Sequence, residues 1–195
     1  MKNAALIVVD VQNDFCTGGA LAVPDGEKVV PIINSMMDKF DTIIATQDWH
    51  PLHHCSFVDS IGSWPPHCIQ NSFGSQLHDD LYNAPIKMIL RKGMNSNIDS
   101  YSAFMENDKE TETGLKSFLQ GLGIHQIYVC GLATDYCVLY TVIDALKMGF
   151  DVYAVEDACK GVGIPEGSIA NALSEMKHHG THIISSNEIK KSLTL

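Results

Sequence analysis

Residues 130–149 read CGLATDYCVLYTVIDALKMG. The run that leads into them, Gln126–Leu132, is rich in β-branched and apolar side chains and reads as a strand. Beyond the short turn GLATD, residues 135–148 are apolar on nearly every side and stop at Gly149, which reads as a buried helix with a glycine terminator. A buried strand handing over to a buried helix within a few residues is the joint of a βαβ unit. Such units imply a parallel sheet and right-handed crossovers.

The alternation continues on both sides. Ala4–Val9, Asp41–Thr46, Pro85–Leu90, Asp151–Val155 and His182–Ser185 read as further strands, and Glu27–Lys39, Thr113–Leu122 and Glu166–His179 as helices. The strands are apolar without polar alternation, so both sheet faces should be covered. The expectation is an α/β fold: a three-layer α/β/α arrangement, Rossmann-like, around a mostly parallel six-stranded sheet. No repeat, linker or low-complexity tract interrupts residues 1–195, which read as a single domain. Residues 47–85 form an irregular segment rich in His, Pro, Ser and Gly, and loops of that length in a compact domain are usually functional.

Composition narrows the function. The 195 residues carry 23 acidic and 13 basic side chains, a net charge of −10. Nucleic-acid and membrane-surface partners rest on clustered Lys and Arg, and no basic block occurs. The first apolar run is short, ends at Asp10 and lacks a cleavage signature, and no run reaches the ~18 apolar residues of a membrane span. A cytoplasmic protein is expected, with its six cysteines as free thiols.

In an open parallel sheet, ligands bind beyond the carboxyl ends of the strands. Those ends carry Asp10, Asp48, Lys92 and, after the turn, Cys137. Thr134 offers a helix cap, placing Cys137 in the first helical turn, where the dipole favours a thiolate and lowers its pKa. The free N–H groups of that turn could hold an oxyanion. A thiol nucleophile needs a base, which Asp10 could supply, and Lys92 could stabilise the thiolate. The segment QDWHPLHHCSF adds His50, His53 and His54, and SWPPHC adds His67. With Asp48 they make a ligand set suited to Zn²⁺, Fe²⁺ or Mn²⁺.

Five stretches, VVDVQNDFCTGGALAV, TQDWHPLHHCSF, WPPHCIQNSFGSQLH, RKGMNSNIDSYSAF and VCGLATDYCV, occur in an order that resembles the nicotinamidase/pyrazinamidase group of the isochorismatase-like cysteine hydrolases. Isochorismatase and other relatives generally lack the DWH…H…WPxHC loop, so the resemblance points to the nicotinamidase branch. It implies a catalytic triad of Asp10, Lys92 and Cys137, and one divalent metal ion, Zn²⁺ first and Fe²⁺ or Mn²⁺ after it, held by Asp48, His50, His54 and His67. The H-x-S-F pattern selects His54 over His53. It also implies a cis peptide between Leu132 and Ala133, an oxyanion hole from the N–H groups of Ala133 and Cys137, and a ring pocket made by Phe15, Leu21, Trp64, Tyr101 and Ala133. The expected reaction is hydrolysis of nicotinamide to nicotinic acid and ammonia through a cysteine thioester, with pyrazinamide as a second substrate and NAD salvage as the context. The expected partner is that small molecule, with neither nucleic acid nor membrane, and a homo-oligomer stays open. Another small amide, carbamoyl or ureido, is the alternative substrate class.

Overall fold

The computed structural model describes residues 1 and 3–191. Six strands form one sheet: β1 (Ala4–Val9), β2 (Thr42–Asp48), β3 (Met88–Lys92), β4 (Gln126–Leu132), β5 (Asp151–Lys160) and β6 (His182–Ile184). Their order is β3-β2-β1-β4-β5-β6, and every pairing is parallel, so the sheet goes beyond the mostly parallel expectation. Strands β1 to β3 step one way from the centre and β4 to β6 step the other. With right-handed crossovers, the intervening helices then fall on opposite faces. The loops after β1 and β4 diverge and leave a crevice between them, where ligands bind in such sheets.

Among the described residues there are five α-helices: α1 (Val29–Asn34), α2 (Leu115–Gly121), α3 (Leu139–Lys147), α4 (Ser168–His178) and α5 (Ser186–Lys191). No helix joins β2 to β3; residues 49–87 make that connection without one. The central strands are apolar and wholly buried, as their composition predicts. Edge strand β3 differs, because its side chains alternate. Ile89 and Arg91 face outward, with the Arg91 guanidinium 3.6 Å above the Trp49 ring, while Leu90 and Lys92 are buried.

Several element boundaries move for identifiable reasons. The expected helix 27–39 is broken into a 3₁₀ turn at Gly26–Lys28, α1, and a second 3₁₀ turn at Met37–Lys39. Pro31 has no N–H to donate and is tolerated only in a first turn, so the α-helical part begins just before it. β3 starts at Met88 rather than Pro85, since Ile86 N–H closes a turn onto Asn83 before Lys87 N–H reaches Ile43 on β2. β5 runs on to Lys160, with Glu156 and Asp157 exposed; those polar residues hide the strand from a hydrophobic pattern. Gly131 has φ +115°, and a Cβ there would lie 2.1 Å from the Val9 carbonyl oxygen. Only glycine lets β4 approach β1 this closely at the site.

Candidate active site

The sheet delivers three of the expected groups to one point. Asp10 follows β1 with φ +46° and is completely buried. Lys92 ends β3 opposite Asp48 at the end of β2, as their parallel register requires. Lys92 Nζ lies 2.9 Å from Asp10 Oδ2, also contacts Asp48 Oδ1, donates to the Ser100 carbonyl at 2.9 Å, and sits 3.6 Å from Cys137 Sγ. Asp10, Asp48 and Cys137 bring ligand atoms within 4.8 Å of one another. Thr46, two residues before Asp48 on the same side of β2, donates to Asp10 Oδ1 (2.5 Å) and accepts Asp10 N–H (3.1 Å).

Charge explains why these groups tolerate burial. Burial pulls the Lys92 ammonium down, but Asp10 and Asp48 outweigh it and hold its pKa well above the usual lysine range. Burial pushes the Asp10 carboxyl up, with Lys92 and the Thr46 hydroxyl opposing. Asp48, although buried, is held below the usual carboxylate range by Lys92 and His50. The Cys137 thiol departs from the sequence expectation of a lowered pKa: burial raises it well above its ordinary value, and Lys92 only partly opposes this. The thiol therefore keeps its proton until a base takes it.

The turn that carries Cys137 also differs from a capped α-helix. It is a single π-helical turn, Thr134–Val138, of a kind frequent at functional sites. Thr134 makes no capping bond; the N–H groups of Tyr136 and Val138 both return to the Ala133 carbonyl, at 3.0 and 3.1 Å. Asp135 secures the turn instead. Its carboxylate accepts Val162 N–H, Gly163 N–H and the Ser168 hydroxyl at 2.9, 2.9 and 2.6 Å. The Leu132–Ala133 peptide is cis.

The histidines share no strand end and cluster on the segment that follows β2. Asp48, His50 and His67 group their ligand atoms within 4.8 Å. His50 Nε2 is 3.6 Å and His67 Nε2 4.0 Å from Asp48 Oδ2. Each imidazole directs Nδ1 to a backbone carbonyl, His50 to Gly93 (2.9 Å) and His67 to Pro65 (2.8 Å). That leaves Nε2 as the lone pair, the pattern of metal-binding histidines. A cation is therefore well matched by donor chemistry: one carboxylate and imidazole nitrogens converge in a buried space. His54 stands apart from this group. Its ring stacks on His50 at 4.0 Å, Nδ1 meets the Ser56 hydroxyl at 2.7 Å, and Nε2 meets the Ile98 carbonyl at 3.2 Å. It belongs instead to a second group, with His50 and Asp99. His53 enters neither group.

Phe15, Leu21, Trp64, Tyr101 and Ala133 all line one cavity, together with Asp48, His67 and Cys137. About 40 Å³ of it is open to the centre of a water molecule, room for roughly three waters at about 10–15 Å³ each. The space suits a small flat molecule and no polymer. Trp64 Nε1 donates to the Tyr101 hydroxyl (3.0 Å), and Tyr136 meets Trp64 edge-on, fixing the aromatic wall.

Sequence reasoning passed over several contributors. Phe57 packs its ring 5.5–5.6 Å from those of His50, His54 and His67. Gly93 leaves room for His50, since a Cβ there would sit 2.5 Å from His50 Cε1. Gln12 clamps the Asp48 backbone, accepting its N–H (2.8 Å) and donating to its carbonyl (2.9 Å). Asp99, Val23 and Val162 also line the cavity. Thr46 had a visible signal, its two-residue spacing from Asp48; Gln12 and Gly93 had none without the fold.

Fold and site together define an α/β protein with a buried thiol, carboxylate and amine next to a histidine-rich cluster of metal-ligand type, beside a small cavity. Residues 4–188 match the model of the isochorismatase domain, and the chain belongs to the isochorismatase family. It is 45% identical to a nicotinamidase of Acinetobacter baylyi, the match covering 96% of this chain and 95% of that one. PnC1 from L. infantum, solved in complex with nicotinate, superposes with a TM-score of 0.91 at 41% identity, covering 95% and 94% of the two chains. The pyrazinamidase of Pyrococcus horikoshii, solved in complex with zinc, gives 0.82 at 41%, covering 94% and 99%. No helix among the described residues is long and apolar enough to cross a membrane.

Proposed function

We propose that this chain is a nicotinamidase, hydrolysing nicotinamide to nicotinate and ammonia. The observation that carries the reading is the position of Cys137, which lines a small aromatic cavity together with Asp48 and His67. The relatives point the same way: a nicotinamidase, a nicotinate complex and a zinc-bound pyrazinamidase. Pyrazinamide, which differs only in its azine ring, fits the same reading. The six cysteines are all unpaired, in keeping with a reducing cytoplasm.

Asp10 takes the proton of Cys137, whose thiolate then sits beside the Lys92 ammonium. The sulfur attacks the carboxamide carbon. The N–H groups of Ala133 and Cys137 receive the developing oxyanion. Asp10 returns the proton to departing ammonia, leaving a thioester. A water deprotonated by Asp10 then cleaves that thioester and restores the thiol. The raised pKa of Asp10 suits a group that alternates between base and acid. Asp48, His50 and His67 would hold a divalent cation, Zn²⁺ foremost, with His54 joining once its Nε2 leaves the Ile98 carbonyl. When bound, the cation supplies a Lewis-acid point for a ring nitrogen. Trp64, Tyr101 and Phe15 enclose the ring and exclude water from the thioester.

The test is ammonia release from nicotinamide by purified protein, before and after chelation, with metal content read on the same sample. Release that chelation abolishes and Zn²⁺ restores supports the reading. A folded, metal-loaded protein that releases nothing from nicotinamide overturns the substrate and turns attention to carbamoyl and ureido amides.

A further inference from the structure

The segment 98–101 touches both halves of the site. The Ile98 carbonyl meets His54 Nε2 at 3.2 Å, the Ser100 carbonyl accepts Lys92 Nζ at 2.9 Å, and the Tyr101 hydroxyl accepts Trp64 Nε1 at 3.0 Å. Asp99, in the middle of this segment, lines the cavity beside Asp48 and His67. Its backbone is fixed, because the Asp99 carbonyl accepts Asn107 N–H at 2.8 Å. Its Oδ1 accepts Ser100 N–H at 2.8 Å, and Oδ2 has no hydrogen-bond partner among the described residues. Ligand atoms of Asp99, His50 and His54 lie within 4.8 Å of one another, and this group shares His50 with the Asp48–His50–His67 group.

Charge balance gives this second group its meaning. Imidazole ligands are neutral when they bind a metal. The Asp48 group therefore offers a dication one negative charge, and that carboxylate is already paired with Lys92. Asp99 forms no ion pair among the described residues. Asp99 lines the same cavity as Asp48, and its charge is available to a cation beside His50 and His54. We propose that Asp99 is a further ligand-bearing residue of the cation site, meeting the metal from the His50–His54 side and supplying its second negative charge. The inference rests on the reading that Asp48, His50 and His67 hold a divalent cation.

The test is metal affinity, read apart from catalysis. Full-length protein is stripped with chelator, and Zn²⁺ binding is measured by competition in wild type, Asp99→Asn, Asp99→Glu and Asp48→Asn. Co²⁺ loading then reports the ligand field by its visible absorption. Asp99→Asn should weaken Zn²⁺ binding by about 10–100-fold, the range seen when a group supporting a metal site is lost. It should alter the Co²⁺ spectrum and leave the melting temperature of the metal-free protein unchanged. Asp99→Glu should recover most of the affinity. Wild-type affinity and an unchanged Co²⁺ spectrum in Asp99→Asn would overturn the role of Asp99 alone. An equal loss of metal-free stability would reduce Asp99 to a loop anchor and overturn it too. Failure of the wild-type protein to bind Zn²⁺ at all, or wild-type affinity in Asp48→Asn, would instead overturn the cation reading itself.

Discussion

The two walls of the site, one of strand ends and one of histidines, are built by different means. Asp10, Lys92 and Asp48 stand at the ends of adjacent parallel strands, and the sheet brings them together. His50, His54 and His67 stand on a segment without regular structure, and each ring is aimed by its own contact: the Gly93 carbonyl, the Ser56 hydroxyl or the Pro65 carbonyl. The strand-end wall is held by charge complementarity in a buried interior, where one ammonium serves two carboxylates. The histidine wall is held by many small hydrogen bonds around the Phe57 ring. A wall of the first kind fails when one charge goes. A wall of the second kind can be altered ring by ring.

The sharpest way to break the comparison is Cys137→Ala. If the thiol wall and the histidine wall are independent, this substitution should lower kcat by roughly 10⁶-fold, the scale lost when a nucleophile is removed from a hydrolase. Metal content should equal that of the wild type. Ammonia release and metal content, measured on one preparation, check both. Retained turnover would remove Cys137 from the chemistry. Loss of metal would show that the two walls are one structural unit.

Lys92→Met tests the strand-end wall by stability. The side chain is completely buried, and Met nearly matches its length. Without the ammonium, Asp10 and Asp48 are two buried carboxylates with no cation between them. Breaking a buried pair in this way costs about 3–5 kcal/mol. Urea unfolding of the metal-free protein should therefore show a large loss. A change under about 1 kcal/mol would mean the carboxylates relax to solvent or protonate at little cost, and charge would not be what holds this wall.

The same contrast explains what the sequence made legible. Strand ends can be found from apolar runs, so Asp10, Asp48 and Lys92 came forward from patterning, and Cys137 from the strand–helix joint. The order of strands cannot be read that way, because sheet neighbours such as β1 and β4 are far apart in the chain. The histidine segment was legible as a ligand set only. Which imidazole faces which neighbour depends on loop contacts, and so His54, chosen by motif, lies stacked on His50 and grouped with Asp99 rather than with Asp48 and His67. The thiol misled in another way. Its place in a helical turn suggested a lowered pKa, but burial, a property of the whole fold, raises it.

Thr46→Val is the finest probe of the strand-end wall. The swap keeps the shape and removes the hydroxyl that donates to Asp10 Oδ1 and accepts Asp10 N–H. That donor lowers the Asp10 pKa against the raising effect of burial. In the proposed mechanism Asp10 works as a base in its ionised form, so kcat/KM should rise with pH as Asp10 ionises. Without the Thr46 hydroxyl the carboxyl ionises at higher pH, and the acid limb of the profile should move upward. On the plateau, a bond to a charged group worth about 1.5 kcal/mol corresponds to roughly a tenfold loss in kcat/KM. Thr46→Ser, which keeps the hydroxyl, should restore both, and metal content should stay constant throughout. A Thr46→Val profile that superimposes on the wild type would mean that Lys92 alone sets the charge of Asp10 and that the strand register, without the hydroxyl, suffices to aim it.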